Sequence, residues 1–205
     1  MATDTVPKAA LGFRTHSGWA SAVALGGDRL QPRVIDRRRL ELCDGSVPVQ
    51  PFHAAEGLPL EKAEKLLERC ASVTKATATA SLQEMLVVVR GEGYEVTGGC
   101  LLLASGRQLG SIKSTLASHA LIHTAEGQFF RQALREAATA CAIAISGEKE
   151  RDIVARSARS LRVPVPRLEQ RLTELGRDVG PPWRQDEKLA ALAAWLVLAG
   201  VQSDS

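Results

Sequence analysis

The sequence predicts an α/β protein whose mixed sheet opens with an antiparallel hairpin and carries helices on both faces. Three observations carry that expectation. Residues 9–25 and 33–42 alternate in the manner of extended chain and flank the turn signal Gly26-Gly27-Asp28. Two short, uninterrupted apolar runs follow, MLVVV at 85–89 and ACAIAI at 140–145, the pattern of strands buried on both faces. Long stretches of helix-forming residues separate and follow those runs.

In chain order, Met1 to Lys8 read as a flexible lead-in, 9–200 as one α/β domain, and 201–205 as a flexible tail. Along the first extended stretch Leu11, Phe13, Thr15, Ser17, Trp19, Ser21, Val23 and Leu25 share one side. Gly12, Arg14, His16, Gly18 and the alanines take the other. In the second strand Val34, Asp36, Arg38, Leu40 and Leu42 oppose Ile35, Arg37, Arg39 and Glu41, which suits a half-buried strand. Pro48, Pro51 and Pro59 mark 43–59 as loop with a short edge strand at 47–52. A helix is expected over 60–83, and another over 109–139 with an irregularity near Gly127. Ser146-Gly147 ends the second apolar run; helices then follow at GEKERDIVARSARSL, at 167–177 and at 185–199. The last is almost entirely Ala, Leu, Val and Trp after its charged first turn, so it must be packed.

Composition narrows the function classes. With 26 Lys and Arg against 23 Asp and Glu the net charge is +3, so affinity for a polyanion has to come from a local patch. Four cysteines, Cys43, Cys70, Cys100 and Cys141, form no CxxC pair and read as free thiols of a reducing compartment. The start MATDTVPKAA lacks a signal-peptide pattern and no apolar span reaches membrane length, so the expectation is a soluble cytoplasmic protein with no membrane partner. There is no GxGxxG after a strand, no Walker loop and no GxSxG elbow.

The segment GFRTHSGWA, Gly12 to Ala20, and the closing segment QDEKLAALAAWLVLA together resemble the ribonuclease H-like superfamily, in its Holliday-junction-resolvase branch. The resemblance covers most of the chain in element order. It implies a first strand that opens the sheet and an Ala-rich closing helix. In members that cut nucleic acid it also implies divalent metal held by carboxylates on the first strand, the fourth strand and the last helix. This chain departs from that pattern. Its first strand has no acid, the run MLVVVR ends in Arg90, and Asp186 and Glu187 read as partners of a helix N-terminus. The two-metal nuclease site is therefore not carried over.

Three groups of residues are candidates for chemistry. His119, His123 and Glu126 stand at i, i+4 and i+7, within about 60° of one another on a helix. HxxxHxxE in that geometry can hold a divalent metal, form a metal-free catalytic pocket, or simply be hydrogen-bonded. Arg14, His16 and Ser17 lie on the first strand, where small neighbours leave room for a packed helix or a bound anion. Arg37 and Arg39 point to one face of a basic strand, spaced to contact phosphates or to be solvated. If first strand and mid-chain helix meet, a pocket of Arg14, His16, His119, His123 and Glu126 follows, with His53 at its rim. The leading expectation is thus a protein binding an anionic ligand, nucleic acid or a phosphorylated small molecule, without two-metal nuclease activity. The alternatives are a metal-dependent hydrolase built on the histidine stripe, and a non-catalytic homodimer formed through the C-terminal helix or a sheet edge.

Overall fold

The computed structural model describes residues 6–104 and 108–201; of the expected tail only Val201 falls among them. The elements are β1 (Lys8–His16), β2 (Trp19–Gly27), β3 (Pro32–Glu41), α1 (Pro51–Ala55), α2 (Leu60–Gly91), β4 (Glu95–Leu103), α3 (Ile112–Leu116), α4 (His119–Ala140), β5 (Ile145–Lys149), α5 (Ile153–Leu161), α6 (Val165–Val179) and α7 (Gln185–Leu198). The five strands form one sheet in the order β3-β2-β1-β4-β5. The first three make an antiparallel meander, and β4 and β5 continue the sheet parallel to β1. The mixed sheet, its antiparallel opening and its two helical faces all match the fold class read from the sequence.

Strand alternation divides the core in two. Ala9, Leu11 and Phe13 of β1, with Ala20, Ala22 and Ala24 of β2, pack under Leu82 and Met85 of α2 and Phe130 and Leu134 of α4. On the other face Val23, Leu25, Cys100 and Leu102 meet α5, α6 and α7. Gly12 belongs to this second face. A Cβ there would come within 1.8 Å of the Ala190 carbonyl oxygen and 2.6 Å of the Ala194 amide nitrogen, so α7 lies directly on the backbone of β1. The two sequence segments that carry the family resemblance are thus the two sides of one contact. Every residue from Leu189 to Leu196 is at most 5% exposed. Trp195 is fully buried and donates from Nε1 to the Arg29 carbonyl at 2.9 Å. The stretch 189–196 of α7 is thus packed within the chain, and its last residues, Val197 and Leu198, are half-buried.

Several expectations need correction. The long first strand is two strands: the chain reverses at Ser17-Gly18, where Gly18 has φ of 80° and His16 pairs with Trp19. Lys8, expected in the lead-in, already belongs to β1 and pairs with Glu95. MLVVV is not a strand but the last turns of α2. Its buried stripe of Ala63, Leu67, Cys70, Thr74, Ala78, Leu82, Met85 and Val89, joined by Leu86, keeps a three-to-four spacing, while Val87 is 68% exposed. The fourth strand is instead Glu95–Leu103: the glycines at 98 and 99 suggest a turn, and extended chain is expected only from Cys100, whereas the strand starts five residues earlier. No strand forms at 47–52; Pro51 starts α1, where its missing N–H costs nothing. The break in the 109–139 helix falls between α3 and α4, and Gly127 continues α4. Finally, Ser146 and Gly147 lie inside β5, and most of ACAIAI is the end of α4 and the connection after it.

All four cysteines are free, as expected. Cys70 and Cys100 are fully buried and Cys43 and Cys141 half-buried. Burial, partly offset by a hydrogen bond with Ser146, pushes the Cys100 thiol up to about 11. A thiol raised in this way stabilises the fold fully below its ordinary value of 9.0, and the contribution falls away as pH rises towards 11. Native protein treated with iodoacetamide at about pH 8 should therefore be modified at Cys43 and Cys141 while Cys100 stays unmodified, as peptide mass mapping would establish. Labelling of Cys100 at the rate of the half-buried thiols would contradict its placement.

Candidate functional site

The parallel strands β1, β4 and β5 end together along one edge of the sheet, at His16, Leu103 and Lys149. In an α/β sheet such an edge is where ligands are usually bound. Arg14, on the same face of β1 as Gly12, reaches two acids from distant parts of the chain. Its Nε and Nη2 donate to Glu150 at 3.0 and 2.7 Å in a bidentate pair, and its Nη1 donates to Asp186 in the first turn of α7. Those hydrogen bonds to Glu150, ahead of the charge of Asp186, raise the Arg14 pKa above its ordinary value despite partial burial. His16 Nε2 lies 3.2 Å from the other Asp186 oxygen, and its ring stacks on Trp19 with centroids 4.2 Å apart. The small side chains around Arg14 and His16 make room for a packed helix, and α7 fills it.

The divalent metal of the ribonuclease H-like nucleases does not fit this edge. Arg14 carries a positive charge between Glu150 and Asp186, the position in which carboxylates would need an ion. The fourth strand brings Leu103 and Ala104 to the edge and leaves Glu95 at its opposite end.

The histidine stripe of α4 forms as expected but finds different partners. His119 and His123 are exposed, with their Nε2 atoms 3.1 Å apart. His53, from α1, joins them rather than standing at a rim; its ring centroid is 5.5 Å from that of His119 and 4.8 Å from that of His123. Glu126 lies behind His53 and is only 5% exposed. Its Oε1 accepts from the backbone amides of Phe52 and His53 at 2.9 and 3.0 Å and from His53 Nδ1 at 3.1 Å. The carboxylate therefore caps the start of α1, a helix with no cap of its own, and orients the His53 ring. Arg14 and His16 take their partners from Glu150 and Asp186, while His119, His123 and Glu126 take theirs from α1. Among the described residues no hydrogen bond, ion pair or ring contact joins the two groups.

The basic strand is largely engaged. Arg37 donates to the carbonyls of Gly180, Pro181 and Pro182, tying β3 to the connection before α7. Arg39 pairs with Glu41 at 2.6 Å and lies over the Trp19 ring at 4.3 Å, and Arg38 pairs with Asp36. Ser17 is exposed at the turn between β1 and β2.

One feature escaped the sequence reading. A cavity of about 600 Å³ opens between α2, α4 and the end of β4; Phe52, Leu103, Leu109 and Phe129 supply apolar wall, and Arg131 and Arg135 line it from α4. Burial first, and then the like charge of Arg135, pull the Arg131 pKa below its ordinary value, with Glu150 opposing. Glu136, also on the wall, is shared with Lys75 at 3.6 Å and Gln132 at 3.0 Å. The signal was present as two arginines four residues apart on the helix that holds the histidine stripe. Glu150 had no such signal, because its partner Arg14 is 136 residues away.

No family model matches the chain, and a search of curated proteins finds no match. Solved structures do resemble it. RuvC of Thermus thermophilus in complex with a Holliday junction substrate superposes over 95% of this chain and 97% of its own, with a TM-score of 0.52 at 10% identity. A second Thermus thermophilus RuvC structure covers 94% and 97% respectively, with a TM-score of 0.50 at 8% identity. Among the described residues no helix is long and apolar enough to cross a membrane. Sheet order, helical layers and full-length superposition together establish that this chain has the ribonuclease H-like fold in the arrangement of the Holliday junction resolvase RuvC.

Proposed function

We propose that the protein binds a phosphate-bearing anionic ligand, nucleic acid or a phosphorylated small molecule, and does so without two-metal cleavage chemistry. The observation that carries this reading is the pair Arg131 and Arg135 on the wall of the cavity beside the sheet edge. Both guanidiniums line the same cavity from positions four residues apart on one helix, Arg131 feels the like charge of Arg135, and an anion bound in the cavity would offset that repulsion. Such an arrangement favours a doubly charged or bridging phosphate, and the apolar wall suits a base or another flat group. The sheet edge contributes little free positive charge, since Arg14 is already shared by two carboxylates.

Branched DNA is the first probe, because the solved RuvC neighbour is bound to a Holliday junction substrate. Affinity for a four-way junction, a linear duplex and a single strand should be measured between about 50 and 200 mM salt. For a nucleic-acid ligand, binding should weaken steeply with salt, and the double substitution R131A/R135A should lower the slope by about 2. For a small phosphorylated ligand, the same substitution should abolish binding of a nucleoside triphosphate while DNA shows no affinity. Wild-type affinity unchanged by the substitution would reject the cavity as the site.

A further inference from the structure

His53 is fixed before anything binds to it. A carboxylate oxygen that already accepts two backbone N–H groups is an acceptor for the ring as well, so His53 donates from Nδ1 and its Nε2 is the nitrogen left outside that bond. This carboxylate-histidine pairing sets the tautomer and orientation of an imidazole that faces a metal. The second oxygen of Glu126 is buried and has no hydrogen-bond partner among the described residues, so all the hydrogen bonds of this carboxylate converge on Oε1 and hold the start of α1 and the His53 ring together. His119 and His123 meet at Nε2, and one ring nitrogen from each of the three histidines lies within 4.8 Å of the others. Two imidazole ligands on a tetrahedral zinc-class ion stand about 3.3 Å apart, close to the 3.1 Å between His119 and His123.

We propose that His53, His119 and His123 form a site for one zinc-class divalent ion, with Glu126 as a positioning residue rather than a ligand. Three nitrogen donors select a borderline ion over magnesium or calcium. Three ligands also leave a coordination position open to solvent or to an oxygen of a ligand. The site uses none of the arginines that line the cavity, so it stands or falls independently of anion binding there.

The test is titration of full-length protein without a histidine tag, with cobalt(II) followed by its visible absorption and zinc by competition. One equivalent should bind and produce the bands of a low-coordinate cobalt centre. His119→Ala, at an exposed position, and His53→Ala should each weaken binding about 100-fold. Glu126→Gln keeps an oxygen for the α1 amides but alters the partner of His53; it should cost about tenfold in cobalt affinity with little change in thermal midpoint. Absence of saturable cobalt binding would overturn the proposal. So would His53→Ala binding as wild type does, since the ion would then be held by the exposed α4 pair alone.

Discussion

Gly12→Ala is expected to be the most damaging single substitution in the sheet, lowering stability by about 3–5 kcal/mol or preventing folding. The new methyl would stand 1.8 Å from the Ala190 carbonyl oxygen, 2.6 Å from the Ala194 nitrogen and 2.9 Å from the Ala190 carbonyl carbon. All three atoms are helix backbone, so no rotamer change relieves the overlap. The helix has to lift from β1, and every residue from Leu189 to Leu196 loses contacts as it does. For a chain of 205 residues each kcal/mol is worth about 2–4 °C, so the thermal midpoint should fall by roughly 10 °C or more. Gly91→Ala supplies the control: a Cβ there meets nothing within 4 Å, and a change that only reduces chain entropy should leave the midpoint unchanged or slightly raised. A Gly12→Ala protein as stable as wild type would mean that α7 does not rest on β1 as described.

Glu126→Ala should cost about 3 kcal/mol and loosen α1 selectively. Three donors, the amides of Phe52 and His53 and the ring of His53, lose their common acceptor, and a buried donor left without one costs about 1–3 kcal/mol. The loss should stay below the sum because α1 can open to water. Thermal unfolding would measure the total. Hydrogen exchange would locate it, with the Phe52 and His53 amides losing protection while the β1 amides keep theirs. Equal loss of protection throughout the sheet would show that Glu126 supports the whole fold rather than the first short helix. Because α1 carries His53, the same substitution should also remove high-affinity cobalt binding, whereas Glu126→Gln separates the two effects.

The fold class was legible because strand alternation at 9–25 and 33–42 and the apolar last helix are local signals. The errors came where two readings share a local pattern. MLVVV satisfies the description of a buried strand, yet Met85 and Val89 continue a stripe that starts at Ala63, and the tertiary contact of α2 with the sheet decides for helix. Conversely, RGEGYEVTGG, up to Gly99, reads as a turn because glycine weakens a strand. Gly99 is tolerated there because Phe13 and Ile145 close over it within 3.1 Å of where a Cβ would be. Of the site, the pairing of His119 with His123 followed from helical spacing, since i and i+4 are neighbours on any helix. Its third member could not be read that way: His53 sits in a different helix and arrives through the carboxylate of Glu126, 73 residues further along. The proposed meeting of Arg14 with the histidines required knowing which acids would reach Arg14 first, and Glu150 and Asp186 lie far from it in the chain.

Arg14 gives the sheet edge a property that an ion-dependent edge lacks. Its countercharge is covalently part of the chain, so neither dialysis nor a chelator can strip it.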